Sequence, residues 1–108
     1  MEMAFADDEI ESLCREEKLA KKRLGTNCAQ KLQRRLVELI NAEHVGELIA
    51  GRPHPLKEAR VGQFAVDLDG GYRLIFISTT QPPPIKPDGG IDWATVTKIT
   101  ITEIVDYH

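Results

Sequence analysis

Cysteine is scarce in this chain. Only Cys14 and Cys28 occur among 108 residues, and both fall in helix-like segments with no metal-ligand spacing around them. That argues against a disulfide framework or a cysteine-rich metal site and leaves two reduced thiols of the kind found in cytosolic proteins. HExxH, CxxC, Walker and dinucleotide fingerprints are missing as well, so nothing points to metal or nucleotide enzymology, and no cofactor is expected. The first residues lack the basic, apolar, small-residue succession of a signal peptide, and no apolar run approaches membrane-spanning length. A cytoplasmic protein without a membrane partner is the expectation. An excess of positive charge is also lacking: a net charge of -3 argues against a generic nucleic-acid binder.

That charge is unevenly placed. Residues 1–17 hold seven acids and one base, residues 18–60 ten bases and four acids, and residues 61–108 three bases and six acids. A basic block therefore sits inside an acidic frame, either as a solvated helical face or as a local footprint for a polyanion. The length suits one domain, residues 1–108, with a core of its own.

Glu2–Phe5 reads as a short edge strand. Asp7 or Asp8 offers a helix N-cap, with Glu11 in capping-box register to Asp8. Ile10, Leu13, Cys14, Ala20 and Leu24 follow at roughly helical spacing, broken by Glu17, and Gly25 is a natural stop. Thr26 or Asn27 caps a second helix with an apolar stripe of Cys28/Ala29, Leu32, Leu36 and Leu39/Ile40. The short break between the two predicts an antiparallel helical hairpin. From Gly62 the period changes to two, with Phe64, Val66 and Leu68 on one face. Asp69-Gly70 then signals a tight hairpin turn, and Tyr72–Ser78 returns as a central strand. Residues 81–90 carry four prolines and read as a surface excursion pinned by Ile91 or Trp93. A β-branched run from Thr95 to Val105 closes the chain and pairs with the hairpin. The fold class is α+β: an N-terminal helical hairpin packed on a small, mostly antiparallel β-sheet.

Several residues invite chemistry. Arg73 interrupts an otherwise apolar strand, so it must meet an anion or reach solvent. Either it pairs internally with Asp67, Glu103 or Asp106, or it opens into a cleft as a phosphate-binding arginine. His54 stands between two prolines, with Lys57 and Arg60 shortly after, either as solvated loop residues or as part of a site. Asp106-Tyr107-His108 follow a strong strand directly, a placement that suits a terminus that is used or tied down. Two histidines, a tyrosine and nearby cations are what metal-free RNA cleavage needs: a base for the 2′-OH, cations for the charged phosphorane, an acid for the leaving 5′-oxygen.

His54-Pro55-Leu56-Lys57, Arg60-x-Gly62-Gln63-Phe64, Tyr72-Arg73-Leu74-Ile75-Phe76, Asp88-Gly89-Gly90-Ile91-Asp92-Trp93 and the closing Glu103-Ile104-Val105-Asp106-Tyr107-His108 together resemble the HigB-like branch of the RelE/ParE toxin superfamily. The resemblance spans nearly the whole chain. It implies a RelE-like α+β fold and a metal-free endoribonuclease that cuts mRNA in the ribosomal A site, leaving 2′,3′-cyclic or 3′-phosphate ends. It also implies a helix-turn-helix, HigA-like antitoxin as partner, with operator DNA met only through that complex. By resemblance, His108 or His54 acts as base or acid, and Arg73 and Lys57 hold the scissile phosphate, with Arg60 beside them. Asp106 orients a histidine, and Tyr107 stacks on or hydrogen-bonds the nucleotide. Two alternatives stay open: a non-catalytic inhibitor like the ParE-type gyrase poisons, and an inactive member that keeps only the antitoxin interface.

Overall fold

A computed structural model describes residues 1–106; Tyr107 and His108 lie outside the described residues. Helix α1 (Asp8–Arg15) is capped by Asp7, whose carboxylate accepts the Ile10 N–H at 2.9 Å, while Asp8, Glu9 and Glu11 suit the positive end of the helix dipole. The cap thus lies at Asp7, and the expected Asp8–Glu11 box is not the device used.

The first helix is in fact two. The backbone extends at Glu16 (φ −108°, ψ 103°) and resumes as α2 (Glu17–Leu24). A straight helix would carry Glu17 round toward the core, three positions beyond buried Cys14. The break lets Ala20 take the buried place instead, and Arg23 reaches back to Glu9 at 3.0 Å.

Gly25 alone, at φ 85°, joins α2 to α3 (Thr26–Asn41), so Thr26 and Asn27 lie inside the helix rather than capping it. Helix α3 buries Cys28, Ala29, Leu32, Leu36 and Leu39. Gln33 donates to the Cys14 carbonyl at 2.9 Å, satisfying an acceptor near the end of α1. The buried stripe ends at Leu39, because Ile40 is 57% exposed.

Five strands form one sheet: β1 (Glu2–Phe5), β2 (His54–Pro55), β3 (Gln63–Asp67), β4 (Tyr72–Ser78) and β5 (Lys98–Asp106), in the order β1-β5-β4-β3-β2. Strand β1 runs parallel to β5 and the other pairs are antiparallel. Strand β5 begins at Lys98 rather than Thr95, since Trp93–Thr95 is a 3-10 turn. The β3–β4 turn falls one residue later than Asp69-Gly70. Tyr72 N–H donates to the Asp69 carbonyl at 3.2 Å, and the two central residues are Gly70 (φ 63°) and Gly71 (φ 90°). Both positions need φ > 0, and two glycines meet that demand without the Cβ cost an aspartate would carry.

One sheet face packs on the helices. Phe64, Val66, Leu74, Phe76, Ile99 and Ile101 join Leu32, Leu36 and Leu39 in a single core. Trp93 closes it, its ring 4.9 Å from Phe64. The proline-rich excursion is pinned at both expected places: Ile91 bridges Ile85, and Trp93 packs on the core. Burial pushes the Cys14 thiol up from 9.0 to about 11 and raises that of Cys28, so both stay protonated and unreactive near neutral pH. Among the described residues no helix is long and apolar enough to cross a membrane.

The other face is defined by a bulge. Ile75 pairs with Glu103 but Phe76 pairs with Ile101, leaving Thr102 unpaired in the ladder, its hydroxyl donating to the Ile75 carbonyl at 3.3 Å. An extra residue inverts the side-chain alternation beyond it. Ile99 and Ile101 therefore point to the helices, whereas Glu103 and Val105 share the opposite face with Ala65, Asp67, Arg73 and Ile75.

Helix α3 is tied to β3 through Gly51. Asp67 N–H donates to the Gly51 carbonyl at 2.6 Å, and the half-extended Arg35 side chain donates to the Asp67 carbonyl at 3.1 Å. Gly51 has φ 82°, and a Cβ there would stand 2.6 Å from Arg35 Nε. Gly51→Ala is therefore expected to lower stability by about 2 kcal/mol, combining left-handed strain with loss of the arginine bond. Urea denaturation of the two proteins measures the difference, and an unchanged midpoint contradicts the assignment.

Candidate active site on the sheet face away from the helices

The floor of this face is Ala65 and Ile75, both fully buried although neither belongs to the helix-packed core. They occupy one row that crosses four strands: His54, Ala65, Ile75 and Glu103 are successive register partners. Charged groups stand at each end of the floor.

At the hairpin end, Asp67 and Arg73 are cross-strand partners. Arg73 Nε lies 3.2 Å from Asp67 Oδ1, and Arg52 Nε donates to Oδ2 at 2.9 Å. Two guanidiniums thus bracket one carboxylate. Arg73 resolves its conflict with the apolar strand in the first of the ways open to it, an internal pair, and Asp67 is a partner among the candidates. Its side chain nevertheless keeps a quarter of its surface in solvent. Partly exposed pairs of this kind contribute about 1 kcal/mol or less, so their weight lies in orientation.

At the other end, Arg60 donates to both Glu103 oxygens, at 2.8 and 3.4 Å, and to Gln63 at 2.7 Å. Arg60 is held as part of the wall, and Lys57 is exposed at the head of the short turn Glu58–Arg60.

His54 sits at the sheet edge. Its Nδ1 is 2.7 Å from the carbonyl of Arg52. A carbonyl can only accept, so Nδ1 carries the proton and Nε2 of the neutral ring holds the lone pair. From the register, His54 and Arg73 lie two strands apart and two residues along, or about 12 Å between Cα atoms. Side chains of their length can flank one phosphodiester across that gap.

Asp106 is paired with Tyr72, which puts it on the helix side of the sheet, away from Arg73. There burial raises the Cys28 thiol, and the charges of Asp69 and Asp106 add to the rise. His54, Arg73 and Arg60 are thus brought to one face, with Lys57 nearby in the chain. Tyr107 and His108 lie outside the described residues. Arg52 and Asp67 have no place among the expected site residues. The only hint of Arg52 was a cation wedged between Gly51 and Pro53, directly before the histidine.

Comparison with solved structures finds a YoeB/ParE toxin from Agrobacterium tumefaciens at TM-score 0.60 and 9% identity, with all of both chains covered. The α+β fold read from the sequence is therefore shared with that toxin. No family model matches the chain, and no curated protein matches it.

The fixed tautomer has a direct spectroscopic signature. Nitrogen-15 NMR of the His54 ring at a pH above its titration is expected to show a protonated, pyrrole-like Nδ1 and an unprotonated, pyridine-like Nε2. The opposite pattern would remove His54 as a proton acceptor at Nε2.

Proposed function

We propose that this chain is the toxin of a type II toxin–antitoxin module and that it acts as a metal-free endoribonuclease on mRNA at the ribosome. The observation that carries the proposal is one shared sheet face: an imidazole whose Nδ1 is held by the Arg52 carbonyl, with the guanidiniums of Arg73 and Arg60 beside the same row of register partners. The family resemblance of the His54-Pro55-Leu56-Lys57 and Tyr72-Arg73 segments, with a RelE/ParE-like fold, supports the same reading.

In this reading His54 Nε2 removes the 2′-OH proton. The 2′-oxygen attacks the adjacent phosphorus, the bond to the 5′-oxygen breaks, and a 2′,3′-cyclic phosphate remains. Arg73 and Lys57 stabilise the extra negative charge of the phosphorane, which a fixed guanidinium does without reorganisation. The leaving oxygen takes a proton from an acid, the role that the resemblance offers to His108. Tyr107 keeps its proposed place as a nucleotide-contacting group, whereas Asp106, on the helix side of the sheet, does not orient His54.

A second reading is favoured by one observation. Arg73 and Arg60 each pair with a carboxylate, an arrangement that also suits a protein acting by binding alone. Induced expression in bacteria separates the two. Growth arrest with cleavage of translated mRNA is expected, and His54→Ala and His108→Ala should each reduce cleavage at least about a hundredfold, the scale of a general acid or base, with folding intact. Arrest that is indifferent to both histidines points to the binding-only inhibitor instead. Absence of any arrest points to an inactive member.

The antitoxin is proposed to reach the outer side of α3. Val37 and Ile40 are more than half exposed there, beside a groove of about 340 Å³ lined by Met3, Phe5 and Leu36. Arg15 at its rim and Arg34 one turn before Val37 fit an amphipathic segment with acidic residues. Val37→Asp with Ile40→Asp is expected to weaken antitoxin binding at least tenfold in calorimetry while leaving toxicity in place. Unchanged affinity would exclude this face.

A further inference from the structure

We infer that Arg52 is a second phosphate-binding residue of the proposed nuclease site, contacting the RNA backbone next to the phosphate held by Arg73. The inference rests on the nuclease reading and extends it to a residue outside the motifs that suggested it.

The argument begins with the backbone. Arg52 has φ 50°, in the left-handed region that a side chain with a Cβ rarely adopts, and it follows Gly51 at φ 82°. Two successive left-handed residues before Pro53 turn the Arg52 carbonyl onto His54 Nδ1 at 2.7 Å and its side chain onto Asp67. An arginine held at a cost of this kind needs compensation from its surroundings. Here one residue fixes the histidine tautomer through its carbonyl and shares the Asp67 carboxylate with Arg73 through its Nε.

The guanidinium geometry supplies the rest. Its fork has five N–H donors, and Asp67 takes only the Nε–H. Among the described residues the two terminal amino groups of Arg52 have no hydrogen-bond partner, and the side chain is 66% exposed. The outward edge is the one that binds a phosphate through two parallel bonds. Asp67 therefore orients Arg52 without consuming its anion-binding edge, and an incoming phosphodiester displaces nothing. Arg52 stands two residues before His54, so the residue that would activate the 2′-OH and the one that would grip the backbone share one short segment. Arg52 does not touch the reacting atoms in this arrangement. It is a binding residue, and through its carbonyl a positioning residue for His54.

The test uses the full chain and a single-stranded RNA carrying 2′-O-methyl groups throughout, which binds and cannot be cut. Fluorescence anisotropy between about 50 and 200 mM salt gives affinity and its salt slope. Arg52→Asn keeps a residue that tolerates φ > 0 and removes the charge. It should weaken binding about tenfold and lower the slope by about 0.7, the contribution of one phosphate contact on a single strand. Arg52→Lys keeps the charge without the fork and should retain the slope while losing part of the affinity. A full loss of slope in Arg52→Lys, or no change in affinity and slope in Arg52→Asn, overturns the assignment of Arg52 while leaving the nuclease reading in place. Failure of the wild-type chain to bind this RNA overturns the assignment of Arg52, while the nuclease reading stands or falls by cleavage of translated mRNA.

Discussion

The architecture depends on one unpaired residue in its last strand. With an unbroken ladder, Glu103 would pair with Leu74 on the helix side, where Leu74 is fully buried, and Ile104 would come up beside Asp67 and Arg73. Burying that carboxylate without a partner would cost several kcal/mol. The bulge at Thr102 avoids the cost by inverting the alternation between Ile101 and Glu103. Upstream of it β5 is core; downstream it delivers Glu103 to Arg60 and Val105 to the side of Arg73, while Ile104 packs against the core. The same strand thus serves the hydrophobic layer and the polar face in succession.

The second constraint is electrostatic. Arginines gathered on one face of a small sheet repel one another unless carboxylates are spaced among them. Asp67 stands between Arg52 and Arg73, and Glu103 braces Arg60. These acids balance the cluster of arginines within a chain of net charge -3. The local charges on this face are sorted by register, and register is invisible to a sum. At Arg52 the pairing with Asp67 uses only the Nε–H, and the side chain stays 66% exposed.

Much of the fold was legible because it follows from period and punctuation. The stripe from Cys28 to Leu39, the alternation of Phe64, Val66 and Leu68, and the apolar strand Tyr72–Ser78 each give an element within a residue or two of its bounds. What escaped were choices between neighbours. Asp7 and Asp8 are equivalent caps by type, and only the approach of the chain selects Asp7. Asp-Gly and Gly-Gly are both good turn centres, and the register of Asp67 with Arg73 selects the latter. The break at Glu16 is set by which apolar residues α3 can receive, a tertiary matter. Of the site, the positions of His54 and Arg73 were readable as anomalies, a histidine locked by prolines and a cation in an apolar strand. Arg52 was not, because its significance lies in where a left-handed backbone sends its carbonyl.

That carbonyl links the rigidity of the fold to its chemistry. Gly51 is forced open by the close approach of Arg35 and Asp67, and its conformation carries over into Arg52. The Arg52 carbonyl then holds His54 in one tautomer, and the Arg52 side chain meets the carboxylate that orients Arg73. A buried arginine on α3 is in this way linked, through one glycine, to the tautomer of the imidazole on edge strand β2. Strand β2 pairs with β3 through two residues, so the Gly51–Arg52 link is a large part of what fixes His54, whereas α3 is held by its buried stripe against the sheet.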